Sequence, residues 1–307
     1  MKHNINPITN QYFSCIQIAI ATYASYQKRD YEMMFAESWG FGYHKDDYPF
    51  GASLNPGHQN RIGLLLEKFH GIQDKYVPYS DKKSLLQLFE SILPNSPVIL
   101  CCDVFNCPWN ISYKRNHINH SIIITGIDKT TKNLYVLDPY ITKDENIIDI
   151  DRIAPDNGYI NYFITLPINK HQVNDYQLEI INTLNHINNS GFFQNFKNFY
   201  NDFQIRFEEV IFSEYLDEYA IPLIINLRHI ANQRYCYCIF LNIMINKKLI
   251  DSSMVNMMKS IAEKYCFLRM SLIKQIMKKK SNKEGADIIN EIMNNEYEAY
   301  EKMKSFI

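Results

Sequence analysis

The sequence predicts an α+β fold in which an N-terminal helix packs on an antiparallel sheet and a domain built of helices follows. Three patterns carry this expectation. From Ser14 apolar residues recur at helical spacing. Between Pro97 and Pro167 four short runs rich in β-branched and aromatic residues are separated by polar connections. From Tyr176 to Ile307, Leu, Ile, Phe and Met recur every three to four positions.

In the first pattern, SCIQIAIATYASYQK places Ile16, Ala19, Ile20 and Tyr23 on one stripe, with Ser14 as a natural N-cap, so Cys15 stands in the first turn of a helix. The stretches Asn60 to His70 and Ser84 to Leu93 read as amphipathic helices, the second stopped by Pro94. PVILCCDVF, HSIIITGID, NLYVLDPY and YINYFITLP read as strands. IDKTTKNLY is short enough to be a hairpin connection, which makes the second and third strands antiparallel neighbours. The strand pattern stops after about Leu166. LIINLRHIANQRYCYCIFLNIMI and MVNMMKSIAEKYCFLRMSLIKQIM then have the length and spacing of bundle helices, without a fixed-period repeat. The division this implies is 1–168 for the α+β domain and 169–307 for the helical one.

Composition narrows the function classes. With 307 residues, 46% hydrophobic and 21% charged, the chain has enough apolar surface for two cores, and 10 Gly and 11 Pro are too few for a linker-rich chain. Lys plus Arg (32) balances Asp plus Glu (33), so no global field draws the molecule to nucleic acid or to an anionic membrane. The N-terminal residues lack the pattern of a secretory signal, and no run of about 18 apolar residues occurs, so a cytoplasmic location is expected. Seven cysteines among apolar neighbours fit reduced thiols. Cys101, Cys102 and Cys107 are close enough in sequence to weigh as zinc ligands, but adjacent strand residues point to opposite faces, which favours core thiols and no metal site.

The chemistry-bearing candidates are Cys15, His120 and Asp138. A helix N-terminus presents free N–H groups and a positive dipole end, both of which favour a thiolate. His120 opens one expected strand and Asp138 closes the next, so a hairpin between them brings imidazole and carboxylate together, leaving the second ring nitrogen for the thiol. Each residue also has a plain structural reading: a packed thiol, a strand-edge histidine, a turn-former before Pro139. His117 competes with His120, because NHINH offers two imidazoles three residues apart.

The order of a cysteine on an early helix, then histidine and aspartate on later strands, resembles the papain-like superfamily. It is most similar to the branch containing bacteriocin-processing leader peptidases and the N-terminal domain of butirosin biosynthesis protein H. The segment PVILCCDVFNCPWNISYKRNHINHSIIITGIDKTTKNLYVLDP carries the resemblance through Asp103, Pro108 and Trp109, Tyr113, His120, the Gly126 to Asp128 turn, and Asp138 with Pro139. The resemblance spans roughly residues 8–167. It implies a papain-like fold with Cys15 as nucleophile, His120 as general base and acid, and Asp138 as the orienting carboxylate. Gln11 is similar to the oxyanion-hole glutamine of the superfamily, with Asn10 as the alternative. Asp103 matches an acid of the family motif and is expected to support the site or bind substrate, or else to cap backbone. Trp39 lines an acyl pocket or belongs to core, and His117 is a further candidate for substrate contact.

Relatives of the butirosin type, and the similar amide-forming enzyme of closthioamide assembly, take an acyl group from a carrier-protein thioester and pass it to an amine. The resemblance therefore implies an acyltransferase or amide synthase of specialised, antibiotic-type metabolism. It needs no cofactor beyond the phosphopantetheine arm that brings the substrate. Its partners would be an acyl or peptidyl carrier protein and an amine such as a diamine or aminoglycoside. Lys274, Lys278, Lys279, Lys280 and Lys283 form a basic stretch that could meet an acidic carrier, or a solvated helix end. The helical domain is expected to serve as substrate cover, docking surface or dimer contact. The rival readings are a cysteine peptidase or thioesterase with the same three residues, and a non-catalytic binding protein on the same fold.

Overall fold

Ser14 starts the first helix by a reciprocal cap. In the computed structural model, which describes residues 2–57, 60–213, 221–280 and 283–307, Ser14 Oγ accepts the Gln17 N–H at 3.3 Å and Gln17 Oε1 accepts the Ser14 N–H at 2.9 Å. This cap opens α1 (Cys15–Tyr26). Next come α2 (Ile62–His70), β1 (Ile72–Tyr79), α3 (Lys82–Ile92), β2 (Val98–Asp103), β3 (Asn119–Asp128), β4 (Asn133–Leu137), β5 (Glu145–Asp149), the one-turn α4 (Ile150–Ile153) and β6 (Gly158–Thr165). The helix expected from Ser84 begins two residues earlier, at Lys82, because the Asp81 carboxylate accepts the Ser84 N–H at 2.7 Å and caps α3 there.

The six strands make one sheet in the order β1-β6-β2-β3-β4-β5, antiparallel throughout. The four strands expected from the sequence are β2, β3, β4 and β6. The two that the sequence pattern did not announce, β1 and β5, are the edges of the sheet. Edge strands are blunted by charge and proline, and IQDKYVPY and ENIID have both charges and, in β1, Pro78. Leu100, Cys102, Ile122, Ile124, Ile127, Leu134 and Val136 form a core with Leu85 and Phe89 of α3. A bulge between Ile124 and Gly126 inserts one residue into β3, so inward positions change from even to odd and Ile127 still reaches that core. α1 packs against β3, and its Tyr23 donates to the Phe163 carbonyl of β6 at 2.9 Å. The α+β class expected from the sequence is the class observed.

The chain divides into two compact units. Met1–Tyr31 and Gly63–Asn169 form the first, which holds the sheet. Glu32–Ile62 joins Lys170–Ile307 in the second, although the sequence grouped that segment with the sheet. The reason is local to the second unit, where α5 (Val173–Asn189), α6 (Phe192–Ile211), α7 (Pro222–Asn246), α8 (Ser253–Met277) and α9 (Glu284–Lys304) follow. Phe41 stacks on Phe196 of α6 at 4.3 Å, and Phe50 stacks on Phe199 at 5.6 Å, so the early segment completes an aromatic core. Arg234 of α7 and Glu296 of α9 are both 0% exposed and meet at 2.8 Å. The guanidinium also donates to the Ser38 and Gly40 carbonyls, and the Trp39 indole donates to Glu296 at 2.7 Å. Among the described residues no helix is long and apolar enough to cross a membrane.

Breaking this buried pair from one side strands a charge in the core. Glu296→Gln should therefore lower the unfolding free energy by about 3–5 kcal/mol, read from urea denaturation followed by circular dichroism. Replacing both partners by Met should cost much less. A single-variant loss below about 1 kcal/mol would show that the pair behaves like an exposed ion pair.

Candidate active site

Cys15 is the first residue of α1, and the local chain explains why its sulfur and backbone are available there. The cap occupies the Gln17 N–H and the Ile18 N–H bonds to the Ser14 carbonyl, which leaves the Cys15 and Ile16 N–H groups at the helix mouth without an intrahelical acceptor. His120 lies one residue into β3 and is 4% exposed, while Asp138, just past the end of β4, is 0% exposed. The hairpin register pairs Ile123 with Leu137, which draws the two strand ends together. His120 Nε2 donates to Asp138 Oδ2 at 2.8 Å, which leaves the other ring nitrogen for Cys15, near enough that each side chain shifts the other's ionisation. The structure thus brings the three candidates together within the first unit.

Electrostatics in this group favour an ion pair. Burial alone would push the Cys15 thiol up, but the His120 hydrogen bond and charge, with hydrogen bonds from Ser121, outweigh it and hold the thiol below its ordinary value. Burial would lower His120, yet its hydrogen bonds to Asp138 and Cys15 and their negative charges raise it to about 10. The lowered thiol and the raised imidazole both shift this pair toward the thiolate–imidazolium form. A thiolate beside an imidazolium at a helix mouth can attack an acyl carbon and protonate a leaving group.

The model of the Peptidase_C39 like family matches residues 9–165, just over half of the chain. The chain belongs to this family. It is a papain-like, cysteine-peptidase-related family, and the matched span takes in Cys15, His120 and Asp138. No curated protein matches the chain.

The remaining candidates have different placements. Gln11 is exposed and lines a pocket of about 280 Å³ together with Asn10, Ile18, Tyr140 and Lys143. That pocket borders the three-residue group, since Ile18 is one turn beyond Cys15 and the Tyr140 ring meets the His120 ring edge-on at 5.8 Å. Asn10 accepts the Tyr12 N–H at 2.9 Å through its side-chain oxygen, which commits that atom to a turn. Asp103 pairs with His117 rather than with His120: its Oδ2 accepts from His117 Nδ1 at 2.6 Å. Trp39, offered as an acyl-pocket residue, is instead a core residue of the second unit, its indole packed on Tyr237 and bonded to Glu296. Cys102 and Cys107 approach to 3.8 Å inside the sheet core, while Cys101, opposite Ser121, faces away from them. Among the described residues no group of three or more His, Cys, Asp or Glu is arranged to hold a metal ion.

Two neighbours of the group were not singled out as site residues by sequence reasoning. Trp109, on the β2–β3 connection, donates its indole N–H to the same Asp138 Oδ2 at 2.8 Å, while Asp138 Oδ1 has no hydrogen-bond partner among the described residues. The His120 and Trp109 donors that reach this buried carboxylate therefore share one oxygen. Ser121 lies near enough to Cys15 for its backbone and side chain to favour the thiolate. The tryptophan stands out in the sequence after Pro108, but only the folded connection aims it at Asp138.

Iodoacetamide alkylation of Cys15 should follow the ion pair. The wild-type rate should rise through a pH below the ordinary cysteine value and hold level until the imidazolium is lost near pH 10. His120→Asn removes the lowering partner and leaves burial to raise the thiol, so its rate at pH 7 should fall more than about tenfold, given an ordinary cysteine value near 8.5. Trp109→Phe should slow Cys15-dependent turnover about tenfold, the worth of ~1.4 kcal/mol. Unchanged alkylation in His120→Asn would dissolve the ion pair.

Proposed function

We propose that this chain is a cysteine-dependent acyltransferase that forms amides, taking its acyl group from the phosphopantetheine thioester of a carrier protein. The observation that carries the reading is the thiolate–imidazolium pair of Cys15 and His120 backed by buried Asp138. The likeness of the Pro97 to Pro139 segment to the butirosin biosynthesis protein H family supports the choice of donor and acceptor.

In this mechanism the Cys15 thiolate adds to the thioester carbonyl, and the oxyanion is met by N–H groups at the mouth of α1, with Gln11 as a further donor. Collapse breaks the bond to the pantetheine sulfur, which takes the His120 proton and leaves as a thiol. One C–S bond has replaced another, so the acyl-enzyme forms without a large uphill step. An amine then adds to the Cys15 thioester, neutral His120 takes a proton from the nitrogen, and Cys15 leaves as thiolate to restore the resting ion pair.

A second reading has water or a peptide bond in place of the amine or thioester, and membership of a peptidase-like family favours it. Intact-protein mass spectrometry separates the two. Wild type and Cys15→Ala would be mixed with acyl-pantetheine thioesters or acylated carrier proteins, with and without a diamine. The transferase reading predicts a mass increase confined to wild type and its discharge to an amide when the diamine is added. Cys15-dependent cleavage of peptides with no thioester adduct would give the function to the peptidase reading.

A further inference from the structure

A second histidine–carboxylate pair stands at the same end of the sheet as the first. His117 is 72% exposed, yet its ring is held from two sides: Nδ1 donates to Asp103 Oδ2 at 2.6 Å, and Phe105 stacks on it at 4.3 Å. Asp103 is itself fixed, because its Oδ1 accepts the Phe105 N–H at 2.9 Å and the Ile118 N–H at 3.1 Å. Burial would raise this carboxyl, but the His117 hydrogen bond and the two N–H groups hold it below its ordinary value, so it is a carboxylate at neutral pH. Asp103 lies opposite Asn119 in the β2–β3 register, next to the Cys102–His120 pair. His117 and His120 are three positions apart, which limits their Cα separation to about 11 Å. An exposed imidazole is normally free to turn. This one is locked with Nδ1 on a carboxylate and Nε2 directed elsewhere.

Proton counting gives such a pair a use. An alkyl amine near neutral pH is an ammonium ion; with a lysine-like value near 10.4, only about four molecules in ten thousand are neutral at pH 7. Forming an amide removes two protons from that nitrogen, one before it attacks and one as the tetrahedral adduct collapses. His120 begins this half-reaction neutral and ends it protonated, so it accepts one of the two. Water as acceptor would lose only one proton before the acyl bond to Cys15 breaks, and His120 alone would suffice.

We propose that the His117–Asp103 pair is the general base for the acceptor: His117 Nε2 takes the first proton from a substrate ammonium, and the neutral amine then attacks the Cys15 acyl thioester. The nitrogen–carbon bond forms as the carbonyl π bond opens, the second proton passes to His120, and the sulfur–carbon bond breaks to return the Cys15 thiolate. His117 releases its proton to solvent, with Asp103 holding the ring in the required tautomer throughout. This assigns to the acceptor side of the site a preference for basic amines. It rests on the acyl-transfer reading above.

The test compares two nucleophiles in the full chain, using an acyl-pantetheine thioester as donor. One is 1,3-diaminopropane, an ammonium at pH 7; the other is hydroxylamine, which is largely neutral there. In a double-displacement reaction kcat/KM for the nucleophile reports only steps after acylation. His117→Gln should lower this value roughly a hundredfold for the diamine, the low end of general-base contributions, and far less for hydroxylamine. Raising the pH toward that of the free amine should narrow the diamine deficit. Asp103→Asn, whose side-chain oxygen can still accept the two backbone N–H groups, should show the same selectivity to a smaller degree. Equal losses for both nucleophiles, or none for either, would overturn the assignment. If wild type makes no amide with either nucleophile, the acyl-transfer reading fails first, and the two failures are told apart.

Discussion

The carboxylate of Asp138 is buried without access to solvent, and its two protein donors both meet one oxygen. A negative charge in such a place is tolerable only while the donors stay in position, so the ends of β3 and β4 and the Trp109 connection are constrained together. The same constraint raises His120 toward its cationic form, and that charge in turn lowers the Cys15 thiol. The ionisation of the thiol at the mouth of α1 is thus biased by a hydrogen bond formed across a hairpin, through an electrostatic chain of three residues.

The second unit is organised by the same physics turned to stability. Arg234 and Glu296 are taken wholly out of water; the guanidinium donates to the Ser38 and Gly40 carbonyls, and Glu296 accepts from the Trp39 indole. Those partners come from a segment distant in sequence, which explains why Glu32–Ile62 is part of the helical unit. In the first unit a buried charge tunes a reactive group. In the second it specifies which backbone segment closes the core.

Two imidazoles three residues apart are separated by strand position into distinct environments. His120 is enclosed, shares its carboxylate with Trp109 and touches the thiol. His117 is exposed, stacked on Phe105 and tied to a carboxylate from β2. The preference for His120 over His117 was legible from the strand that follows it, but the pairing of His117 with Asp103 was not, because it depends on which residue of β2 lies opposite Asn119. Asp103, expected to support the site, to bind substrate or to cap backbone, does cap the backbone at Phe105 and Ile118, and it also builds the second pair.

By itself, the sequence determined what short-range forces decide. Ser14 caps a helix whose apolar residues recur at helical spacing, runs rich in β-branched and aromatic residues make β2, β3, β4 and β6, and the polar hairpin between β3 and β4 makes neighbours of His120 and Asp138. Tertiary structure alone decided the edge strands, whose charged and proline-containing runs are held by a partner strand rather than by a buried face. It also decided the allegiance of Glu32–Ile62, the burial of Trp39 and the aim of Trp109. Each of these is a contact between residues far apart in the chain, fixed by register, by one inserted residue in β3 and by the matching of buried polar groups, and none of those quantities has a period that can be read along a sequence.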